Sequence, residues 1–335
     1  MLTYKALIAS QSDNDPNDFK NIKCEWQEIP LTPPAPHEVQ IRVHYSSLNY
    51  KDALAITGRG KILRSLPLTP GIDAAGTVTA SLSKNFKEGD QVLVTGCGLG
   101  EVRSGGLSEI ITVPDSWVIP LPSSLTLKES MILGTAGFTA GLALYQLEKN
   151  DLTPQKGDVL ITGATGGVGC LSLLLLKSKG YTLTAWSRKS ENKDLLFNWG
   201  ASHFEDISQK DFQTRFLESG TWAAAIDNVG GDILSFILPR IKPHGSVATI
   251  GLAQSAEFKT SVFPFILRGV NMLGISSATC PRPLREEIWK MLSLQKIDWS
   301  TALRKEISAN DVIDECKSMI LGKTWGRVIV NMQKG

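Results

Sequence analysis

The segment Ser46-Ser47-Leu48-Asn49-Tyr50-Lys51-Asp52 sets an amide, a phenol and a carboxylate within four residues. An Asn amide can donate to a carbonyl oxygen as charge builds there, and a Tyr or Asp can deliver or accept a proton. Asn49, Tyr50 and Asp52 are therefore the candidate catalytic residues. A plain polar turn, in which Asn49 and Asp52 only cap backbone groups, uses the same residue types. As an exposed acid, Asp52 is ionised near neutrality and is better suited to orienting a pocket than to donating.

A different chemistry is written in Asp158-Val-Leu-Ile-Thr-Gly163-Ala-Thr165-Gly166-Gly167-Val168-Gly169. It reads as a buried strand, a tight turn and the start of an apolar helix running through Leu176. Small residues there let the backbone N–H groups of a helix N-terminus approach a pyrophosphate. Thr165, Gly166, Gly167, Val168 and Gly169 are the candidates for that contact, with Ala164 in place of the first glycine of the strict pattern. The next strand, Tyr181 to Trp186, runs into Ser187-Arg188-Lys189. An acid about 20 residues past the loop would hold a ribose 2′-OH. A hydroxyl and two cations suit a 2′-phosphate instead, so the expected cofactor is NADPH.

These groups need elements to hold them. Residues 1 to 120 read as β-rich, with strand-like runs at Lys5 to Ser10, Glu38 to Ser46, Gly76 to Ser81 and Gln91 to Thr95. A long helix is predicted from Leu127 to Leu147. From Asp158 strands at 158–162, 181–186, 222–227, 246–250 and 270–275 alternate with helices near 168–179, 190–199 and 230–240. That rhythm is the pattern of a doubly wound parallel sheet, with its ligand along the strand C-termini. Asn228 and Leu252 follow two of those strand ends. Helices near 283–295 and 309–321 and a returning strand at 327–330 close the chain. The polar stretch Asp13 to Asn21 is expected as a loop.

Composition narrows the function classes. The chain has 335 residues, 42% hydrophobic and 20% charged, with a net charge of +2. Two domains fit that length, and nothing in the charge balance points to nucleic acid or a membrane surface. The N-terminal apolar run is too short for a signal peptide, and Leu171 to Leu176 is too short for a membrane span. A cytoplasmic protein is expected. Five cysteines and four histidines fall in no metal-binding spacing, so no metal is expected and the thiols are read as reduced.

The whole pattern resembles the zinc-free medium-chain dehydrogenase/reductases, and more closely their acrylyl-CoA reductase branch, whose members also carry quinone oxidoreductase labels. The resemblance rests on Ser46 to Gly58, Pro70-Gly-Ile-Asp73-Ala-Ala-Gly76, Gly134-Thr-Ala-Gly-Phe-Thr-Ala140, Thr162 to Gly169, Pro264-Phe-Ile-Leu-Arg268 and the terminal Gly326-Arg327. It implies a GroES-like distorted β-barrel over 1–123, completed by 276–335, and a Rossmann domain over 124–275. It also implies a homodimer that reduces the C=C bond of acrylyl-CoA to propanoyl-CoA with NADPH. The alternatives are a quinone or general α,β-unsaturated carbonyl reductase, and an NADPH-binding sensor without turnover. Zinc-bearing relatives carry Gly-His-Glu where this chain has Gly71-Ile72-Asp73, and a four-cysteine lobe that is absent here.

Carried over by position, Tyr50 lines the nicotinamide pocket, and Leu252, Ile266, Ser277 and Arg327 join Asn228 as cofactor contacts. Hydride delivered to the β-carbon of a conjugated thioester leaves charge on the carbonyl oxygen, which Asn49 or backbone N–H groups would meet. Water or Tyr50 would protonate the α-carbon. Arg59, Lys61, Arg64 and Arg103 lie on glycine-bearing loops and are candidates for the phosphates of coenzyme A, or form a solvated basic loop.

Overall fold

The computed structural model describes residues 2–11 and 21–334, and the chain forms two compact units. The expected loop at 13–21 lies outside the described residues as far as residue 20.

The first unit takes in the residues up to Thr135, then Ala278–Ser293, then the chain from Leu303 onward. Its seven-stranded sheet is centred on Glu38–Leu48, which pairs antiparallel with Asp73–Ser81, Ile110–Pro114 and Arg327–Asn331. Gln91–Thr95 and Ile119–Pro120 extend one side, and Leu303–Ser308 lies parallel to Arg327–Asn331 on the other. Val39, Ile41, Val43 and Leu48 of the central strand are all at most 2% exposed and join Val78, Val92, Val94, Val328 and Val330 in one core. A hairpin of Thr3–Gln11 and Ile22–Pro30 completes the unit. Thus the C-terminal strand bonds to the strand that carries the Ser46–Asn49 segment, in the register Val328 to Leu48 and Val330 to Ser46.

The second unit covers Ala136–Ser277 and Leu294–Ala302. Its six strands are all parallel, in the spatial order His203–Asp206, Leu183–Ser187, Val159–Thr162, Trp222–Asp227, Ile241–Thr249, Asn271–Gly274. In chain order that is 3-2-1-4-5-6, the Rossmann arrangement, whose ligand crevice opens at the carboxyl ends of the first and fourth strands. The four residues of Val159–Thr162 are all buried, as a strand covered by helices on both faces requires.

The division differs from the expected 123/124 and 275/276. Leu127–Lys149 is one helical segment broken at Gly134 (φ 51°, ψ −154°), and its first turns belong to the barrel unit because Thr135 bonds to Asp73. Leu294–Ala302 returns to the Rossmann unit, where the Trp199 indole donates to the Thr301 carbonyl at 2.9 Å. Leu127–Lys149 is also long and apolar enough to cross a membrane, but 83% of its most apolar window is buried in the protein.

Candidate active site

Asn49 ends the central strand in an extended conformation (φ −117°, ψ 161°) and caps the helix Tyr50–Ile56. Asp52, in the first turn, accepts from the Asn49 backbone N–H at 2.8 Å and from the Ile72 N–H at 2.9 Å. This side chain is 1% exposed, so the expectation of an exposed, fully ionised acid is overturned. Burial, reinforced by the neighbouring Asp73, pushes its carboxyl up to about 7 despite those N–H donors.

Asn49 is held on every polar atom. Its Nδ2 donates to Asp73 Oδ2 at 2.8 Å and to Asp52 Oδ2 at 3.3 Å, while its Oδ1 accepts from Arg327 at 3.2 Å. Both amide hydrogens are thus committed to carboxylates, an arrangement that suits an anchoring role. Tyr50, next in the chain, is 48% exposed, and Lys51 beside it, also partly exposed, is paired with Glu101 at 3.0 Å.

Asp73 is the residue that sequence reasoning missed. Fully buried, it accepts from Ser47 Oγ at 2.6 Å, Thr135 N–H at 2.9 Å and Thr135 Oγ1 at 2.6 Å as well as from Asn49. Arg327 completes the knot. Its guanidinium, 2% exposed, donates to Ser47 Oγ, the Ile132 and Leu48 carbonyls and Asn49 Oδ1. Arg327 thus acts as an internal clamp within the barrel unit. Gly134 leaves the space for these groups: a Cβ there would lie 2.6 Å from Asp73 Oδ2, 2.7 Å from Ser47 Oγ and 2.8 Å from Arg327 NH2.

In the second unit the glycine loop joins Val159–Thr162 to the helix Gly167–Ser178, capped by Gly166. Gly163 takes φ +56° for the turn, and a Cβ on Gly169 would sit 2.4 Å from the Gly163 carbonyl oxygen. Only glycine lets that helix pack so close to the strand, and the N–H groups of its first turn have no intrahelical partner. Thr165 Oγ1 and Ser187 Oγ lie 3.2 Å apart, and Ser187 Oγ also accepts from the Lys189 N–H at 3.1 Å. Ser187 is buried, Lys189 half-buried and Arg188 exposed, so the basic tip is tied to the glycine loop through hydroxyls.

Two buried acceptors mark the sheet's carboxyl edge. Asn228 donates through Nδ2 to the Thr162 carbonyl at 2.8 Å, which leaves Oδ1 buried with no protein partner. The Thr249 hydroxyl, one strand over, is in the same condition. Buried polar atoms rarely stay unpaired, so these fit the hydroxyls and amides of a dinucleotide. Asp227 is tied down by Thr162 Oγ1 at 2.7 Å and the Gly230 N–H at 2.9 Å, and burial raises its carboxyl. Leu252 (65%) and Ile266 (70%) are exposed, and Ser277 is half-buried.

Of the four candidate phosphate cations, Arg103 is partly exposed and paired with Glu38 at 2.6 Å. Arg59, Lys61 and Arg64 are exposed on the loop that follows the Tyr50–Ile56 helix. Among the described residues no three His, Cys, Asp or Glu side chains cluster as metal ligands would.

Comparison with known proteins places this architecture. Residues 35–123 match the alcohol dehydrogenase GroES-like domain, and residues 167–295 match the zinc-binding dehydrogenase model. The acrylyl-CoA reductase AcuI of Ruegeria pomeroyi is 37% identical over 333 residues, 98% of this chain and 99% of that protein. The chain belongs to the medium-chain dehydrogenase/reductase family. YhfP of Bacillus subtilis, which carries a provisional quinone oxidoreductase name, is 44% identical over 299 residues, covering 88% of this chain and 90% of its own. Among solved structures, the YhdH oxidoreductase of Salmonella enterica in complex with NADP superposes with a TM-score of 0.93 at 39% identity, over 98% of this chain and 99% of the other. YhfP with NAD bound gives 0.93 at 40% identity, over 99% and 100%. Medium-chain reductases thus share both the barrel that holds Asn49 and the parallel sheet that ends in Asn228.

Proposed function

We propose that this reductase uses NADPH to reduce the C=C bond of an α,β-unsaturated thioester, with acrylyl-CoA going to propanoyl-CoA. The observation that carries the reading is the likeness to an acrylyl-CoA reductase over 98% of the chain, together with a polar turn that leaves the Tyr50 phenol 48% exposed. The cofactor reading is supported by the NADP-bound Salmonella relative and by Arg188 and Lys189 at the second strand tip.

The residues present fit the dinucleotide. First-turn N–H groups at Gly167, Val168 and Gly169 would meet the pyrophosphate, with Thr165 and Gly166 shaping the loop. Ser187, Arg188 and Lys189 would meet the 2′-phosphate, and Asn228 Oδ1 a hydroxyl or amide. Bound NADPH supplies the hydride. Tyr50 is then the side chain of this turn that can donate to the substrate carbonyl oxygen, where charge develops, or pass a proton toward the α-carbon. Asn49, Asp52 and Asp73 keep Tyr50 in place without touching substrate. The chemistry is read as zinc-independent, supported by Asp73 spending its carboxylate on Ser47, Asn49 and Thr135.

The YhfP likeness favours a second reading, a quinone or enone reductase. NADPH oxidation measured against acrylyl-CoA, an enone and benzoquinone, with the thioester product weighed by mass spectrometry, separates the readings. Turnover of acrylyl-CoA to propanoyl-CoA supports the first. Turnover of benzoquinone or the enone alone supports the second, and NADPH binding without turnover of any of the three would overturn both.

We further propose a homodimer. Val262, Phe263, Ile266, Leu267 and Met272 are 44% to 70% exposed on the helix and edge strand that close the Rossmann sheet. An apolar patch beside an open strand edge is a surface that a second copy can cover.

A further inference from the structure

We propose that Asp73 and Thr135, with Arg327 opposite them, are positioning residues for the reaction: they fix the Asn49–Tyr50 turn by holding the Asn49 side chain from both ends. This rests on the reductase reading above.

The geometry behind it is a closed circuit. Asp73 Oδ2 gathers three donors, from Ser47, Asn49 and the Thr135 backbone, and Oδ1 takes the Thr135 hydroxyl. Ser47 Oγ donates to Asp73 and accepts from Arg327 at 2.8 Å, so carboxylate and guanidinium grip the same hydroxyl. Arg327 then reaches Asn49 Oδ1, and Asn49 Nδ2 returns to Asp73. The circuit joins four separated stretches of chain: the end of the central strand, the start of Asp73–Ser81, the break at Gly134–Thr135 and the C-terminal strand. Every link is buried or half-buried, where hydrogen bonds to charged groups are strong and lost partners are costly.

Asn49 can rotate only if it gives up Asp73 and Arg327 together. Its backbone carries Tyr50, which is 48% exposed, so the circuit sets the point from which the phenol projects. Displacement of a reacting group by about 1 Å can cost about a hundredfold in rate. The predicted signature is therefore a fall in kcat with cofactor affinity intact, because the circuit lies wholly in the barrel unit.

The test uses the full-length protein with NADPH and acrylyl-CoA. Thr135→Val keeps the shape and the backbone N–H but removes the hydroxyl donor, and Thr135→Ser restores it. Thr135→Val is expected to lower kcat about tenfold or more, with the NADPH Kd unchanged and Thr135→Ser within about threefold of wild type. In an Asn49→Ala background, Thr135→Val should cost almost nothing further, because the Thr135 hydroxyl acts on the turn only through the Asp73 carboxylate, whose bond to Asn49 is already gone. Equal losses in the two backgrounds, or an unaltered kcat in Thr135→Val, would overturn the positioning role while leaving the reductase intact. A wild-type protein that oxidises NADPH with no thioester, enone or quinone would overturn the reductase reading and this proposal with it.

Discussion

Asp52 should make the protein less stable as the solution turns from acid to neutral. Its carboxyl is buried, its hydrogen-bond partners are the neutral Asn49 and Ile72 groups, and Asp73 stands nearby with the same charge. Burial therefore raises it from 3.8 to about 7. The folded chain binds this proton more tightly than the unfolded chain, so stability falls with pH wherever only the unfolded form has ionised. Below about pH 4 both forms carry the neutral acid, and the group contributes no deficit. Between about 4 and 7 the deficit grows, and above 7 it levels off near 4 kcal/mol, at roughly 1.4 kcal/mol per pH unit. Asp52→Asn removes the titration and keeps the shape. The assay is the urea midpoint of wild type and variant across about pH 4 to 8. The difference between the two curves isolates Asp52, because Asp227, raised by burial, His44, lowered by burial, and Glu306, held near 2 by Asn331 and Lys128, titrate in both proteins. The variant should gain on wild type through that window by up to about 4 kcal/mol. Parallel curves would mean that Asp52 ionises as an ordinary carboxyl and that its burial has no electrostatic cost.

Gly169→Ala places a methyl 2.4 Å from the Gly163 carbonyl oxygen and should push the helix off the strand. NADPH fluorescence titration should show affinity lowered about tenfold or more, in line with 1–3 kcal/mol of overpacking. Replacing Arg188 and Lys189 together by Ala should weaken NADPH by roughly ten- to a hundredfold and leave NADH nearly unchanged, so the ratio of the two Kd values reads 2′-phosphate recognition. Tyr50→Phe should lower kcat about a hundredfold if the phenol meets the developing charge, and only the KM if it merely packs on the ligand. Light scattering should give the wild type twice the 36.4 kDa chain mass, with Ile266→Asp and Met272→Asp together giving the single mass.

Much of the parallel sheet was legible because its strands are short apolar runs that stop in glycine turns, and its first helix starts in a glycine pattern with a steric reason behind it. The His203–Asp206 strand was not, because it is a four-residue edge strand with no fully buried position and an unhelpful sequence, His-Phe-Glu-Asp. Ile22–Pro30 escaped for a related reason. Its exposed positions carry Lys23, Glu25 and Glu28, so it reads as polar chain until Thr3–Gln11 lies beside it. Asn49, Tyr50 and Asp52 could be picked out by type and spacing, but what each does could not. The sequence puts an amide near a carboxylate, and only the fold shows that both amide hydrogens point inward.

Arg327 shows where local reading stops. Its bond to Asn49 spans 278 positions in the chain and exists because the C-terminal strand pairs with the central strand in one register. A shift of one residue would turn the guanidinium to the opposite face of the sheet. Asp73 left a fainter trace: a carboxylate beside Ala74, Ala75 and Gly76 in a strand otherwise made of small and apolar groups, where an unpaired charge would be untenable. That conflict between residue and surroundings was the available signal that donors must arrive from elsewhere. They come from Ser47, Asn49 and Thr135, and Gly134 is bare so that they can. The Asn49–Tyr50 turn is thus held by a group that the strand pattern alone would reject, which is why the anchoring residues became visible only once the barrel was assembled.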